Sequence, residues 1–260
     1  MNPNLYKISH IARSIGALAL LLVPAAHAAT VNLDPTADAF VTPGRNGSLS
    51  ISNYGGAGAL SVAAAGLAKG EFQSVLQFNL SSAQAAFDAQ YGPGQWTLQS
   101  ISLALAATAP NNAIFNPSSA GQFGISWMQN DSWVEGTGTP ASPGSTGITY
   151  ASLPSFTSAA DESLGAFSFD GSTTGSATYT LALTPGFYAD AAGGNLVSLR
   201  LFAADSGVSY LFDSRNFGTA SLRPVLSVVA VPEPGALALL GMGCGCVLWG
   251  YRSRRRLGTL

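Results

Sequence analysis

Apolar side chains recur at every second position through much of the middle of this chain. Phe72, Leu76, Phe78 and Leu80 fall on one face of residues 72–80. Ile101, Leu103 and Leu105 share a face, and Phe123, Ile125 and Trp127 alternate with Gly124 and Ser126. Tyr179, Leu181 and Leu183 repeat the pattern, as do Val197, Leu199 and Leu201, and then Val208, Tyr210 and Phe212. A period of two is that of a strand with one buried face. Residues 222–229 read as the last strand. Pro224 inside it points to an edge or a strand start, because proline brings no N–H to a ladder. Only residues 82–90 read as helix, with Ser81 or Ser82 as the N-cap, good helix formers from Ala83 to Phe87, and Gly92-Pro93-Gly94 as the stop. The polar stretches 111–120 and 136–146 read as loops. Many short strands with Gly/Pro-rich turns predict an all-β fold: an antiparallel β-sandwich, jelly-roll-like, with one short helix.

Two segments are apolar without alternation. The first, residues 15–23, follows Lys7 and Arg13 and precedes Ala26-His27-Ala28. A basic start, a short apolar run and small residues at A-x-A spacing make a secretory signal peptide, residues 1–28, cut before Ala29. The alternative is a retained anchor, for which the run is short. The second, residues 235–251, holds 17 residues with no charged side chain. As a helix it spans about 25 Å, the short end for a hydrocarbon core of about 30 Å. Trp249 and Tyr251 sit near its end, where amphipathic rings favour an interface. Arg252, Arg254, Arg255 and Arg256 then stop transfer and stay cytoplasmic. Ahead of it lies Val231-Pro232-Glu233-Pro234, whose prolines forbid regular helix and favour an extended, accessible backbone. A buried core helix with a basic surface tail is the alternative.

The order of these three parts resembles the PEP-CTERM protein-sorting signal: a Pro-Glu-Pro motif, a transmembrane helix and a short arginine-rich tail. The resemblance implies recognition by an exosortase, a membrane cysteine protease that cuts near the motif. It also implies Sec export, a stay in the inner membrane before processing, and delivery to the surface or exopolysaccharide matrix of a Gram-negative bacterium. One departure is that Leu257, Gly258, Thr259 and Leu260 follow the arginines, which leaves topology unchanged. The chain thus divides into a signal peptide (1–28), an exported domain (29–230) and a sorting signal (231–256).

Charge sharpens this division. The whole chain has a formal net charge of −2. Between its ends, five basic residues (Arg45, Lys69, Arg200, Arg215, Arg223) stand against twelve acidic ones. An acidic exported domain repels phosphate backbones, so nucleic acid is not an expected partner. His10 and His27 belong to the signal peptide, and Cys244 and Cys246 to the C-terminal helix. The exported domain therefore has no disulfide, no Cys/His zinc site and no histidine-based triad.

A second resemblance covers most of the exported domain. Asp38-Ala39-Phe40-Val41, Asn53-Tyr54-Gly55, Phe78-Asn79-Leu80-Ser81, Trp133-Val134-Glu135-Gly136 and Phe212-Asp213-Ser214-Arg215, followed by Arg223-Pro224-Val225-Leu226, occur in the order seen in DNRLRE-type secreted jelly-roll domains. These are related to some carbohydrate-binding modules. The resemblance implies a fold more than a ligand.

Candidate chemistry is sparse. Trp133 and Tyr150 lie near predicted loops and could stack on sugar rings of an exopolysaccharide. Core or corner packing is the alternative, and for Trp127 it is the expected role. Asp131 and Glu135 flank Trp133; as a pair they could serve a glycosidase, or they are solvated turn residues. No catalytic residue and no metal site is assigned. Asp34, Asp38, Asp131 and Asp213 are oxygen donors for a structural calcium ion, although there is no EF-hand loop. Arg215 and Arg223 could pair with Asp213 or Glu135. In the C-terminal helix, Gly241 and Gly245 make a small-xxx-small face, and Cys246 is an acylation candidate.

Overall fold

The computed structural model describes residues 27–108, 121–169 and 175–233. Ala26, Pro234, the expected C-terminal helix with Gly241, Gly245 and Cys246, and Arg252, Arg254, Arg255 and Arg256 lie outside the described residues. Among the described residues no helix is long and apolar enough to cross a membrane.

The described residues form eleven strands: β1 (Ala29–Leu33), β2 (Ala37–Val41), β3 (Ala59–Ala63), β4 (Gln73–Asn79), β5 (Trp96–Ala106), β6 (Gly121–Met128), β7 (Glu162–Phe169), β8 (Ser176–Leu181), β9 (Leu196–Ala203), β10 (Ser209–Asp213) and β11 (Val225–Pro232). They make a four-stranded sheet ordered β1-β11-β5-β8, a five-stranded sheet ordered β2-β4-β9-β6-β7, and the pair β10-β3. Every pairing is antiparallel. The all-β sandwich follows from the alternating segments, each of which found a strand.

The inner faces interlock through aromatic rings. Phe123 on the five-stranded sheet meets Tyr179 on the four-stranded sheet edge-on, with centroids 5.1 Å apart, and Phe212 of β10 at 5.7 Å. Such contacts add directional preference to area burial. In β5 the alternation breaks near Ser100. Across from it, Val229 pairs with Ser100 but Ala230 pairs with Leu98. The extra residue, Gln99, is a bulge that keeps Trp96 and Leu98 in the core with Ile101, Leu103 and Leu105.

The structure corrects several expectations. Among the described residues there are two α-helices where one was expected: α1 (Ser81–Tyr91) and α2 (Pro185–Ala192). The N-cap of α1 is Leu80, not a serine, and the Asn79 side chain accepts the Ser81 N–H at 3.0 Å. In α2, Pro185 occupies the first turn, where its missing N–H is not needed. The free donors of that turn are taken by Glu162, which comes from β7. Its carboxylate accepts from the N–H groups of Gly186 (2.9 Å) and Phe187 (3.0 Å) and from the Thr184 hydroxyl (2.5 Å). These bonds, the Thr184 hydroxyl first, hold the Glu162 carboxyl below its usual range. Pro224 immediately precedes β11, so it marks a strand start; β11 itself is flanked by β1 and β5.

The segment after β6 is not a free loop. Trp133, Ile148 and Leu153 pack onto Ala39, Val41, Val75 and Met128 of the five-stranded sheet, forming a second small core on its outer face. That sheet is therefore covered on both sides in this region.

Candidate functional site

Four of the short motifs meet in one polar cluster between the 129–161 segment, the start of β2 and the chain after β10. Asn53 is its centre and is fully buried. Its amide nitrogen donates to the carbonyls of Glu135 (2.7 Å) and Ile148 (2.8 Å). Its amide oxygen accepts from the N–H groups of Gly55 and Gly138, both at 3.1 Å. The backbones approach so closely that a Cβ on Gly55 would run into the Glu135 carbonyl, and one on Gly138 into that of Asn53. Glycine is required there by space.

Glu135 anchors the charged half. Its carboxylate binds the Arg215 guanidinium at 2.7 Å, accepts from the Asn216 amide at 3.2 Å and from the Asp38 N–H at 3.2 Å. Arg215 also donates through Nε to the Pro35 carbonyl, and its backbone N–H donates to Asp38 at 2.7 Å. Of the two pairings open to Arg215, the structure selects Glu135. Arg223 instead donates to the Phe217 carbonyl. Asn216, which no motif singled out, completes the cluster by donating to Gly55 O at 2.9 Å. A lone asparagine after a turn carries no pattern from which this could be read.

Asp38 is only 1% exposed. Burial pushes its carboxyl from 3.8 up to about 7; the Arg215 N–H bond opposes this, and the neighbouring Glu135 charge adds to it. The folded state thus holds a proton here that the unfolded chain releases near pH 4. The stabilisation is complete below the unfolded value and is lost as pH rises through about 7. At about 1.4 kcal/mol per unit, raising pH from 5 to 7.5 is expected to lower stability by roughly 2–3 kcal/mol. Asp38→Asn keeps an acceptor for the Arg215 N–H and should flatten this slope. Chemical denaturation at both pH values checks it; equal slopes in the two proteins would remove Asp38 as the cause.

The proposed sugar-stacking residues separate. Trp133 is 4% exposed, packs in the outer-face core and donates its indole N–H to Ser198 Oγ at 2.9 Å. Its ring is buried, which is the packing role weighed for it and not an exposed sugar-stacking face. Tyr150 is half-buried, and its hydroxyl donates to Glu71 at 2.7 Å. That bond, with burial second, pushes the phenol up to about 12. Trp127 is a core residue. Asp131 lies beside Ser198, and burial raises its carboxyl. Its partner is thus Ser198, whereas the Glu135 carboxylate is committed to Arg215 and Asn216.

The oxygen donors considered for calcium do not assemble. Asp38 is committed to Arg215, Asp34 is exposed, and Asp213 is fully buried at the end of β10 with burial raising its carboxyl. Among the described residues no group of three or more acidic side chains could hold a metal ion.

At the other functional stretch, Ala29 pairs with Ala230, so the first residue of β1 sits opposite the start of the sorting motif. Val231 and Pro232 continue β11, paired with Thr97 and Trp96 of β5. The Glu233 N–H donates to the Gln95 carbonyl at 2.9 Å. This corrects the expectation of a freely accessible motif: its first residues are half-buried strand, and the sandwich extends past residue 230. Ala28, on the other side of the expected signal-peptide cut, is exposed just before β1.

Residues 230–256 match the PEP-CTERM protein-sorting motif. The match takes in Val231, Pro232, Glu233 and Pro234, the apolar run, and Arg252, Arg254, Arg255 and Arg256. It supports an exported, membrane-transiting chain recognised by an exosortase. No curated protein matches the chain.

Proposed function

We propose that this chain is an exported, non-enzymatic structural protein of the cell surface or extracellular matrix of a Gram-negative bacterium. It leaves the cytoplasm through the Sec machinery by its signal peptide. The C-terminal helix then holds it in the inner membrane until an exosortase processes it at the Pro-Glu-Pro motif. The observation that carries this reading is the motif at residues 230–256, attached directly to the last strand of a β-sandwich. The internal commitment of the acidic groups supports a structural cargo. Glu135 is spent on Arg215, Asn216 and the Asp38 N–H, so it is not free to pair with Asp131. Kinship with DNRLRE-type jelly-roll modules belongs to the same proposal, supported by the meeting of four of its short motifs in the Asn53–Glu135 cluster.

A second reading is a module that binds exopolysaccharide. Its support is Tyr150, half-buried beside Glu71 with Phe156 also partly exposed on the same small core. Specific, saturable glycan binding lost on Tyr150→Ala would favour it.

The sorting role is tested by replacing Pro232, Glu233 and Pro234 with alanine in a host that carries an exosortase. The variant should stay in the membrane fraction while the parent chain is released. Unchanged release would count against a sorting function.

A further inference from the structure

We infer that the folded sandwich itself restrains processing: the sorting motif begins as a strand end clamped by Gln95 and Trp96, and the protease acts on it only after those last pairs open. This rests on the sorting role proposed above. The pairing shows how the clamp is built. Glu233 bonds to Gln95, so in an antiparallel ladder the next pair inward, Pro232 with Trp96, is a non-hydrogen-bonded one. The nitrogen of Pro232 then faces away from β5, toward the side where β1 stops at Ala29. A proline is tolerated at this position because no partner there needs its N–H.

Beyond Ala230, among the described residues, β11 is paired on one side only. Ala230 itself is fully buried, and its carbonyl also accepts from the Tyr91 hydroxyl at 3.3 Å. Tyr91 and the β1 pairing fix the strand up to Ala230, and Gln95, Trp96 and Thr97 hold the next three residues. A peptide must be extended and free of its own sheet to enter a protease cleft. Terminal pairs fray at small free-energy cost, so opening is local and the sandwich need not unfold. Gln95 and Trp96 are positioning residues in this account; they do no chemistry.

Thr97 and Val231 sit opposite each other, so Thr97→Cys with Val231→Cys can bridge them within ordinary disulfide reach in an oxidising compartment. In pulse-chase labelling of the full chain in an exosortase-bearing host, the bridged double variant should be processed at least roughly tenfold more slowly than either single variant, and reductant should restore the rate. A second variant carries a six-residue Gly-Ser insertion between Ala230 and Val231. It frees the motif without a bridge and should be processed several-fold faster than the parent. Equal rates for the parent and the insertion variant, or wild-type processing of the bridged one, would overturn the clamp. The alanine triple variant separates the two ideas. If it is processed like the parent, the sorting role fails; if it is blocked while bridge and insertion change nothing, the clamp alone fails.

Discussion

Asn53→Ala should lower the stability of the exported sandwich by about 4–6 kcal/mol, because it strands four buried partners at once, each unmade bond leaving a penalty of roughly 1–3 kcal/mol with partial relaxation. The carbonyls of Glu135 and Ile148 lose their donor, and the N–H groups of Gly55 and Gly138 lose their acceptor. Water cannot take their place without opening backbones packed too tightly for even a Cβ at Gly55 or Gly138. Asn53→Asp tests bonding separately from shape. It keeps the acceptor but replaces the double donor with a buried carboxylate facing two carbonyls, so its loss should be as large as that of alanine. Urea unfolding of the mature chain measures both. A loss below about 1 kcal/mol for either, the value of one ordinary hydrogen bond, would mean that the cluster is not held through Asn53.

Trp133→Ala should cost about 3–5 kcal/mol, the range for emptying an aromatic site in a packed core. Trp133 is the largest side chain of the outer-face core and fixes the 129–161 segment to Val75 and Met128. The damage should be local. Amide exchange should accelerate first at Ile148, whose N–H donates to Val134 at 2.7 Å, while the aromatic core between the sheets stays protected. Trp133→Phe keeps most of the packing and removes the bond to Ser198, so it should cost only about 1–2 kcal/mol. If alanine and phenylalanine behave alike, the indole volume is not what holds the segment down. It follows that loss of glycan binding in a Trp133 variant would report unfolding of this core. Tyr150 is the position at which a sugar site can be tested cleanly.

Where one sheet face was buried and the other mixed, the sequence showed the strand. Ile101, Leu103 and Leu105 on β5, and Tyr179 and Leu181 on β8, alternate because only their inner face meets the opposite sheet. β3 did not show: Ala59-Leu60-Ser61-Val62-Ala63 is buried from Leu60 on both faces, so small residues replace the polar half of the pattern. β7 was hidden by Gly165, whose φ of +139° breaks its run opposite the irregularity between Ile125 and Ser126. α2 was hidden because its cap comes from Glu162, far from it in sequence, and no local signal marks such a start. β1 is too short for its three inward residues, Ala29, Val31 and Leu33, to make a pattern.

The polar cluster was legible in its parts but not in its assembly. Asp38, Asn53-Tyr54-Gly55, Trp133-Val134-Glu135-Gly136 and Ser214-Arg215 stood out as motifs. That they meet around Glu135 and Asn53 depends on long-range pairing, which spacing along the chain does not encode. Trp133 illustrates the cost: beside a polar turn it reads as exposed, yet the segment folds back and seals it. The sorting motif was legible in full as chemistry, whereas its docking on β5 was not. Two prolines argue for extended backbone and are silent about a partner strand.

Mass spectrometry of both termini of the protein recovered from each cell fraction bears most directly on the whole account. A chain outside the inner membrane that starts at Ala29 and has lost residues 235–260 is the predicted result. A cytosolic chain running intact from Met1 to Leu260 would contradict it.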